Sequence, residues 1–129
     1  MNRKFVLVAA AAALILAAAW LTDFSSGMDP QEAIRKLSGL RMSLALYGME
    51  GKPPPAAFGE VISAGKLEAA PSLKLPWHLR STRVRDVPSR AVSDSGSWAY
   101  VNAPGDPDFG QVFIDCAHKD PKGRFWSEF

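Results

Sequence analysis

The chain has 129 residues, of which 47% are hydrophobic and 22% charged; this excludes a disordered composition and suits one folded domain. Its formal net charge of +2 is too small to call for a nucleic acid partner, and none is expected. A single cysteine, Cys116, excludes an internal disulfide.

Residues 1–4, MNRK, form a basic cytoplasmic tip. Residues 5–21, FVLVAAAAALILAAAWL, contain no charged residue. At about 1.5 Å per residue this run spans roughly 25 Å, a little less than the ~30 Å of a hydrocarbon core. It is apolar on all sides, unlike the core helix of a soluble protein. Arg3 and Lys4 before it and Asp23 after it orient the chain with its start inside. The expectation is a single-pass anchor in a bacterial inner membrane, with the remainder in the periplasm or outside the cell. The alternative is a signal peptide cut after Ala19, which releases a secreted or periplasmic binding module.

Residues 22–28 read as a polar linker, and residues 29–129 as the extracytoplasmic domain. DPQEAIRKLSGLRMSLALYG predicts a helix, with Asp29 as N-cap, Pro30 at the first position and Glu32 completing a capping box. Ala33, Leu37, Leu40, Leu44 and Tyr47 line its apolar face, and Gly48 suits its end. Three prolines at 53–55 then impose an extended connector. FGEVISAGKLEA predicts a short helix with Gly65 near its end. Residues 70–97 hold prolines at 71, 76 and 88 and predict an irregular layer with one short strand near 82–87. SWAYVN and QVFIDCAH predict strands, the second with Val112, Ile114 and Cys116 on one face and Phe113 and Asp115 on the other. APGDPDFG and KDPKG are turns, and RFWSEF is a closing strand. Helices first and strands after predict an α+β fold: a hydrophobic N-terminal helix, then an amphipathic helix packed on a small C-terminal antiparallel sheet.

Few residues carry chemistry. Cys116 and His118 share one face of a strand, but a nucleophile pair needs an orienting third group and a zinc site needs three or four ligands. A buried apolar cysteine and a surface histidine are expected. Asp106 and Asp108 are the residue type of a calcium loop, yet two carboxylates predict a plain turn. Lys74, His78, Arg80, Arg83, Arg85 and Arg90 face only Asp86 within 74–90, which predicts a solvated basic loop. Trp77, Trp98, Tyr100 and Trp126 are expected in the core and in cross-strand pairs. No phosphate-binding, acid–base or nucleophile-elbow motif is present. The expectation is a non-enzyme with no catalytic residues, no cofactor and no metal.

As a set, these parts resemble the type IV pilin and type II secretion pseudopilin family. The residues that carry the likeness are LRMSLALYGMEGKPP, FGEVI, Ser97-Trp98-Ala99-Tyr100, Gly110-Gln111-Val112 and Asp120-Pro121-Lys122-Gly123-Arg124-Phe125. The resemblance covers about residues 30–129. It implies a pilin-like head on an anchoring helix, with the membrane and other pilin-like subunits or secretion-machine proteins as partners. Lys4 stands where the family carries the glycine cut by prepilin peptidase, and Ala9 where it carries a buried glutamate. The resemblance therefore implies a tethered or released head rather than an ordinary fibre subunit.

Overall fold

The computed structural model describes residues 2–129. Three helices, α1 (Arg3–Ser25), α2 (Pro30–Gly48) and α3 (Gly59–Ser63), precede three strands, β1 (Val84–Val87), β2 (Ser97–Val101) and β3 (Val112–Asp115). A 3-10 turn at Trp126–Glu128 closes the chain. The fold is α+β.

α1 continues past the apolar run through Asp23 to Ser25, so only residues 26–29 connect it to α2. Its 23 residues reach ~34 Å at 1.5 Å per residue, and none of them is buried. It is long and apolar enough to cross a membrane.

α2 begins as its sequence predicts. Asp29 accepts the Gln31 amide at 2.8 Å, and Pro30 fills the first turn without an N–H to satisfy. Glu32 does not close a capping box; it pairs with Lys36 one turn on, at 3.0 Å. Ala33, Leu37, Leu40, Ser43 and Tyr47 are buried. They pack with Phe58, Val61, Leu73, Leu75, Trp98, Tyr100, Val112, Ile114, Cys116 and Trp126 into the main core.

The sheet is mixed, where the sequence suggested an antiparallel one. Its order is β1-β2-β3; β2 pairs antiparallel with β3 but parallel with β1. The cause lies in the 88–96 connection. Asp115, at the far end of β3, binds residues 93–95, so β2 starts beside Asp115 and runs in the direction of β1. β2 is buried throughout. Trp98 and Tyr100 enter the main core, while Ala99 and Val101 meet Phe113 and Val87 on the opposite face. The Trp98 indole donates to Pro71 O at 2.8 Å and the Tyr100 hydroxyl to Pro55 O at 2.7 Å. These bonds wrap the proline-rich connectors onto the sheet.

RFWSEF is not a closing strand. A lone bridge joins Lys119 to Phe125, and then the backbone coils so that Trp126 drops into the core against Phe129. The buried Asp120 carboxylate sets this turn, accepting from the Lys122 and Arg124 amides and from the Arg124 guanidinium. Cross-strand pairing is thereby exchanged for a turn that seats an indole.

Candidate metal centre

Three separate segments meet beyond the end of β3. His78 follows the main-core stretch Leu73–Leu75, Asp94 lies in the loop before β2, and Cys116 and His118 follow β3. Their ligand atoms all lie within 4.8 Å of one another. Cys116 Sγ is 3.6 Å from His78 Nε2 and 3.4 Å from His118 Nδ1. Asp94 Oδ1 is 3.0 Å from His78 Nε2 and 3.5 Å from His118 Nδ1. Cys116 is fully buried and His78 nearly so, while Asp94 and His118 open the cluster to solvent.

The surrounding backbone is built to hold this arrangement. Asp94 has φ 59° and Trp77, next to His78, has φ 64°; both lie in the left-handed region that costs a side-chain-bearing residue free energy. Gly96, at φ 71°, passes so close to His78 that a Cβ there would lie 2.3 Å from His78 Cγ. Only glycine lets this loop close over the imidazole. The Asp94 loop rests on the buried Asp115 carboxylate, which accepts hydrogen bonds from the Ser93, Asp94 and Ser95 amides, both serine hydroxyls and Arg85. Burial raises the Asp115 carboxyl, but the bonds from Ser93 and Ser95 outweigh it and hold the group below the usual carboxylate range.

The ligand atoms have backbone support of their own. The His118 amide donates to Cys116 Sγ at 3.4 Å, and the Ala117 amide to Asp94 Oδ1 at 2.9 Å. Burial pushes the Cys116 thiol up to about 11. Asp94 is raised by burial, but the Ala117 amide and His78 outweigh this and leave it below its ordinary value.

A nucleophilic triad does not account for this geometry. A triad uses both nitrogens of one imidazole, one toward the nucleophile and the other toward the carboxylate. Here His78 turns the same nitrogen, Nε2, toward both Cys116 and Asp94. His118 likewise turns Nδ1 toward both. Four ligand atoms converge on one point, as around a cation.

The expectation of a surface His118 is thus corrected: it is half-buried and belongs to this cluster. Cys116 is buried as expected, but against two imidazoles as well as the core. The 74–90 stretch is not a free basic loop. Lys74 is buried and donates to the Phe24 and Ser26 carbonyls at the end of α1 and to the carbonyl of its neighbour Leu75. Arg85 bonds Asp115, and Arg90 bonds Gln111 and the Ser127 carbonyl while covering Phe113. Asp106 accepts the Asp108 amide in a turn and joins no cation-sized group among the described residues. Trp98, Tyr100 and Trp126 are core residues, but Trp77 is about half exposed and meets Phe24 edge-on. The sequence concealed the cluster because His78 and Asp94 lie 38 and 22 residues before Cys116, in loops without periodic signals.

No protein-family model, curated protein or solved structure matches this chain.

Proposed function

We propose that the chain is a non-catalytic, pilin-like subunit of a type II secretion or type IV pilus-type envelope assembly. It is tethered in the bacterial inner membrane with its head in the periplasm or outside the cell. The observation that carries this reading is the apolar helix α1, with no residue buried in the protein, leading into a head in which α2 packs with a small sheet. A helix whose 17-residue apolar stretch, residues 5–21, is exposed throughout suits lipid. The motifs at 97–100, 110–112 and 120–125 supply the family likeness.

The anchor segment has eight alanines in residues 5–21 and no carboxylate. Small residues let helices approach closely in lipid, but nothing in the run offers a charged pairing to fix one neighbour at one height. The chain therefore joins as a minor or terminal subunit and not as a homopolymer. The test is expression of the full chain with the secretion genes of its host. Intact-mass analysis, protease treatment of spheroplasts and imaging of sheared cell surfaces then follow. A mass starting at Met1 or Asn2, a head cut only from outside, and cross-links to other pilin-like subunits support the proposal. A soluble product starting at Trp20 supports the secreted binding module instead. Long filaments made mainly of this chain refute the minor-subunit role.

A further inference from the structure

We propose that His78 Nε2, Asp94 Oδ1, Cys116 Sγ and His118 Nδ1 bind one zinc ion in a closed tetrahedral site, and that the ion locks the head to the end of α1.

The distances place four ligand atoms around one point at the spacing of a zinc site. Zinc bonds to sulfur at ~2.3 Å and to nitrogen or carboxylate oxygen at ~2.0–2.1 Å, so the edges of a regular site are about 3.6 Å for S···N and about 3.3 Å for N···O. Four of the six edges here are 3.6 and 3.4 Å for sulfur to nitrogen and 3.0 and 3.5 Å for nitrogen to the carboxylate; the other two, Nε2 to Nδ1 and Sγ to Oδ1, lie within 4.8 Å, and a bound ion draws them in. Hydrogen bonding within the cluster covers only two of the four contacts: His78 Nε2–H can donate to Asp94 and the Cys116 thiol to His118 Nδ1, which leaves the 3.6 Å Cys116–His78 and 3.5 Å Asp94–His118 approaches without a hydrogen. A central cation satisfies all four ligands at once.

The ligand chemistry narrows the ion. Thiolate and imidazole exclude the oxygen-seeking calcium and magnesium ions. One sulfur, two nitrogens and one oxygen in a tetrahedron suit zinc, with cobalt as its spectroscopic substitute. The Cys116 thiol releases its proton on binding. Thiolate and carboxylate then neutralise the ion's charge, which suits a half-buried place. Four protein ligands leave no open position, so the site is structural and not catalytic.

The site joins three segments of the head, those of His78, Asp94 and Cys116–His118. His78 adjoins Trp77, whose amide donates to Phe24 O at 2.9 Å and whose ring meets the Phe24 ring at 6.2 Å. An ion on His78 therefore fixes the loop that holds the last turn of α1. Asp94 is held in turn by the Asp115 cradle, an outer shell of the kind that orients metal ligands. The strained backbone at Trp77 and Asp94 is the geometry that such an ion stabilises.

The experiment uses the full chain in detergent, stripped with a chelator and titrated with Co²⁺ and then Zn²⁺. The expected result is one ion per chain, with intense tetrahedral cobalt absorption, a thiolate-to-metal charge-transfer band, and displacement by zinc. Cys116→Ser should lose the charge-transfer band, and Cys116→Ser, Asp94→Asn and His118→Ala should each weaken binding by at least about 100-fold. His118 is half exposed, so that variant tests the site without opening the core; circular dichroism checks that each variant is folded. Saturating zinc should raise the Tm of the wild-type head by roughly 10 °C and slow proteolysis at residues 26–29, with neither effect in Cys116→Ser. Absence of stoichiometric binding, an octahedral cobalt spectrum, or undiminished binding in the folded His118→Ala variant overturns the site. Tight binding with unchanged proteolysis at 26–29 overturns the lock.

Discussion

Asp115→Asn should unfold more of this protein than its size suggests. The change is nearly isosteric and leaves the β3 backbone intact. The native carboxylate is 1% exposed and accepts from six donors. Oδ1 takes the Ser93 amide at 2.7 Å and the Asp94 amide at 3.1 Å. Oδ2 takes the Ser93 hydroxyl at 2.6 Å, the Ser95 hydroxyl at 2.5 Å, the Ser95 amide at 3.2 Å and Arg85 at 3.1 Å. An asparagine must place its NH₂ group on one side. On the Oδ1 side it faces two backbone N–H groups that cannot reverse. On the Oδ2 side it faces one such amide and the guanidinium, while the two hydroxyls can rotate to accept. Either choice leaves two donors pointing at a donor, at ~1–3 kcal/mol each. Arg85 also loses its charge partner, though its exposure lets water replace much of that interaction. The sum is about 3–5 kcal/mol out of the ~5–15 kcal/mol expected for a domain. At 4–8 °C per kcal/mol for a head of this size, Tm should fall by at least ~12 °C. Thermal unfolding of the full chain in detergent, with the Trp20→Leu substitution in every variant to remove the α1 indole, followed by near-ultraviolet circular dichroism, reads the packing of Trp98, Tyr100 and Trp126 in the head. Asp106→Asn, in an open turn, is the control and should shift Tm little. A fall of less than a few degrees in Asp115→Asn would show that the loop does not depend on the carboxylate.

Trp126→Ala should cost ~3–5 kcal/mol because the indole is buried in the core. Trp126→Phe should cost much less, since the indole N–H meets no acceptor among the described residues; equal melting of the two variants would contradict this. Gly96→Ala places a methyl on the His78 ring at a positive φ and should lower stability by at least ~1–2 kcal/mol, while a variant that melts as the wild type would show that the loop yields. Lys74→Met strips donors from carbonyls at the end of α1 and should cost ~1.5–3 kcal/mol, with faster proteolysis at 26–29; unchanged cleavage would show the joint is held elsewhere. Lys52 and then Lys66 hold the exposed Glu50 carboxyl at about 2 instead of 4.5. Its folded-state value is depressed, so its contribution is present above pH 4.5 and is lost as the pH falls towards 2. Glu50→Gln should remove a small, salt-sensitive part of the urea-midpoint dependence in that window, and identical profiles would show that the exposed pairs contribute nothing.

Elements governed by near neighbours in the chain were legible in the sequence. The 17-residue apolar run marks α1, although it could not show that the helix carries Thr22–Ser25 as well, where Ser25 and Ser26 cap locally and Trp77 and Lys74 from the head take the Phe24 carbonyl. The i, i+4, i+7 spacing of Ala33, Leu37, Leu40, Leu44 and Tyr47 and the Asp29-Pro30 start define α2 by local geometry. Alternation marks both faces of β3. Tertiary structure alone decided the sheet direction, since nothing local to Ser97–Val101 specifies a parallel neighbour. That choice follows from Asp115 gathering a loop about 20 residues away. It also decided the end of the chain, where filling the core with Trp126 outweighs another strand. The candidate metal centre belongs to the same class. Cys116 and His118 are a pair in the sequence and become four ligands only when loops carrying His78 and Asp94 are folded onto them. Such convergence has no periodic signature, because it depends on the positions of side chains in space and not on their spacing along one element.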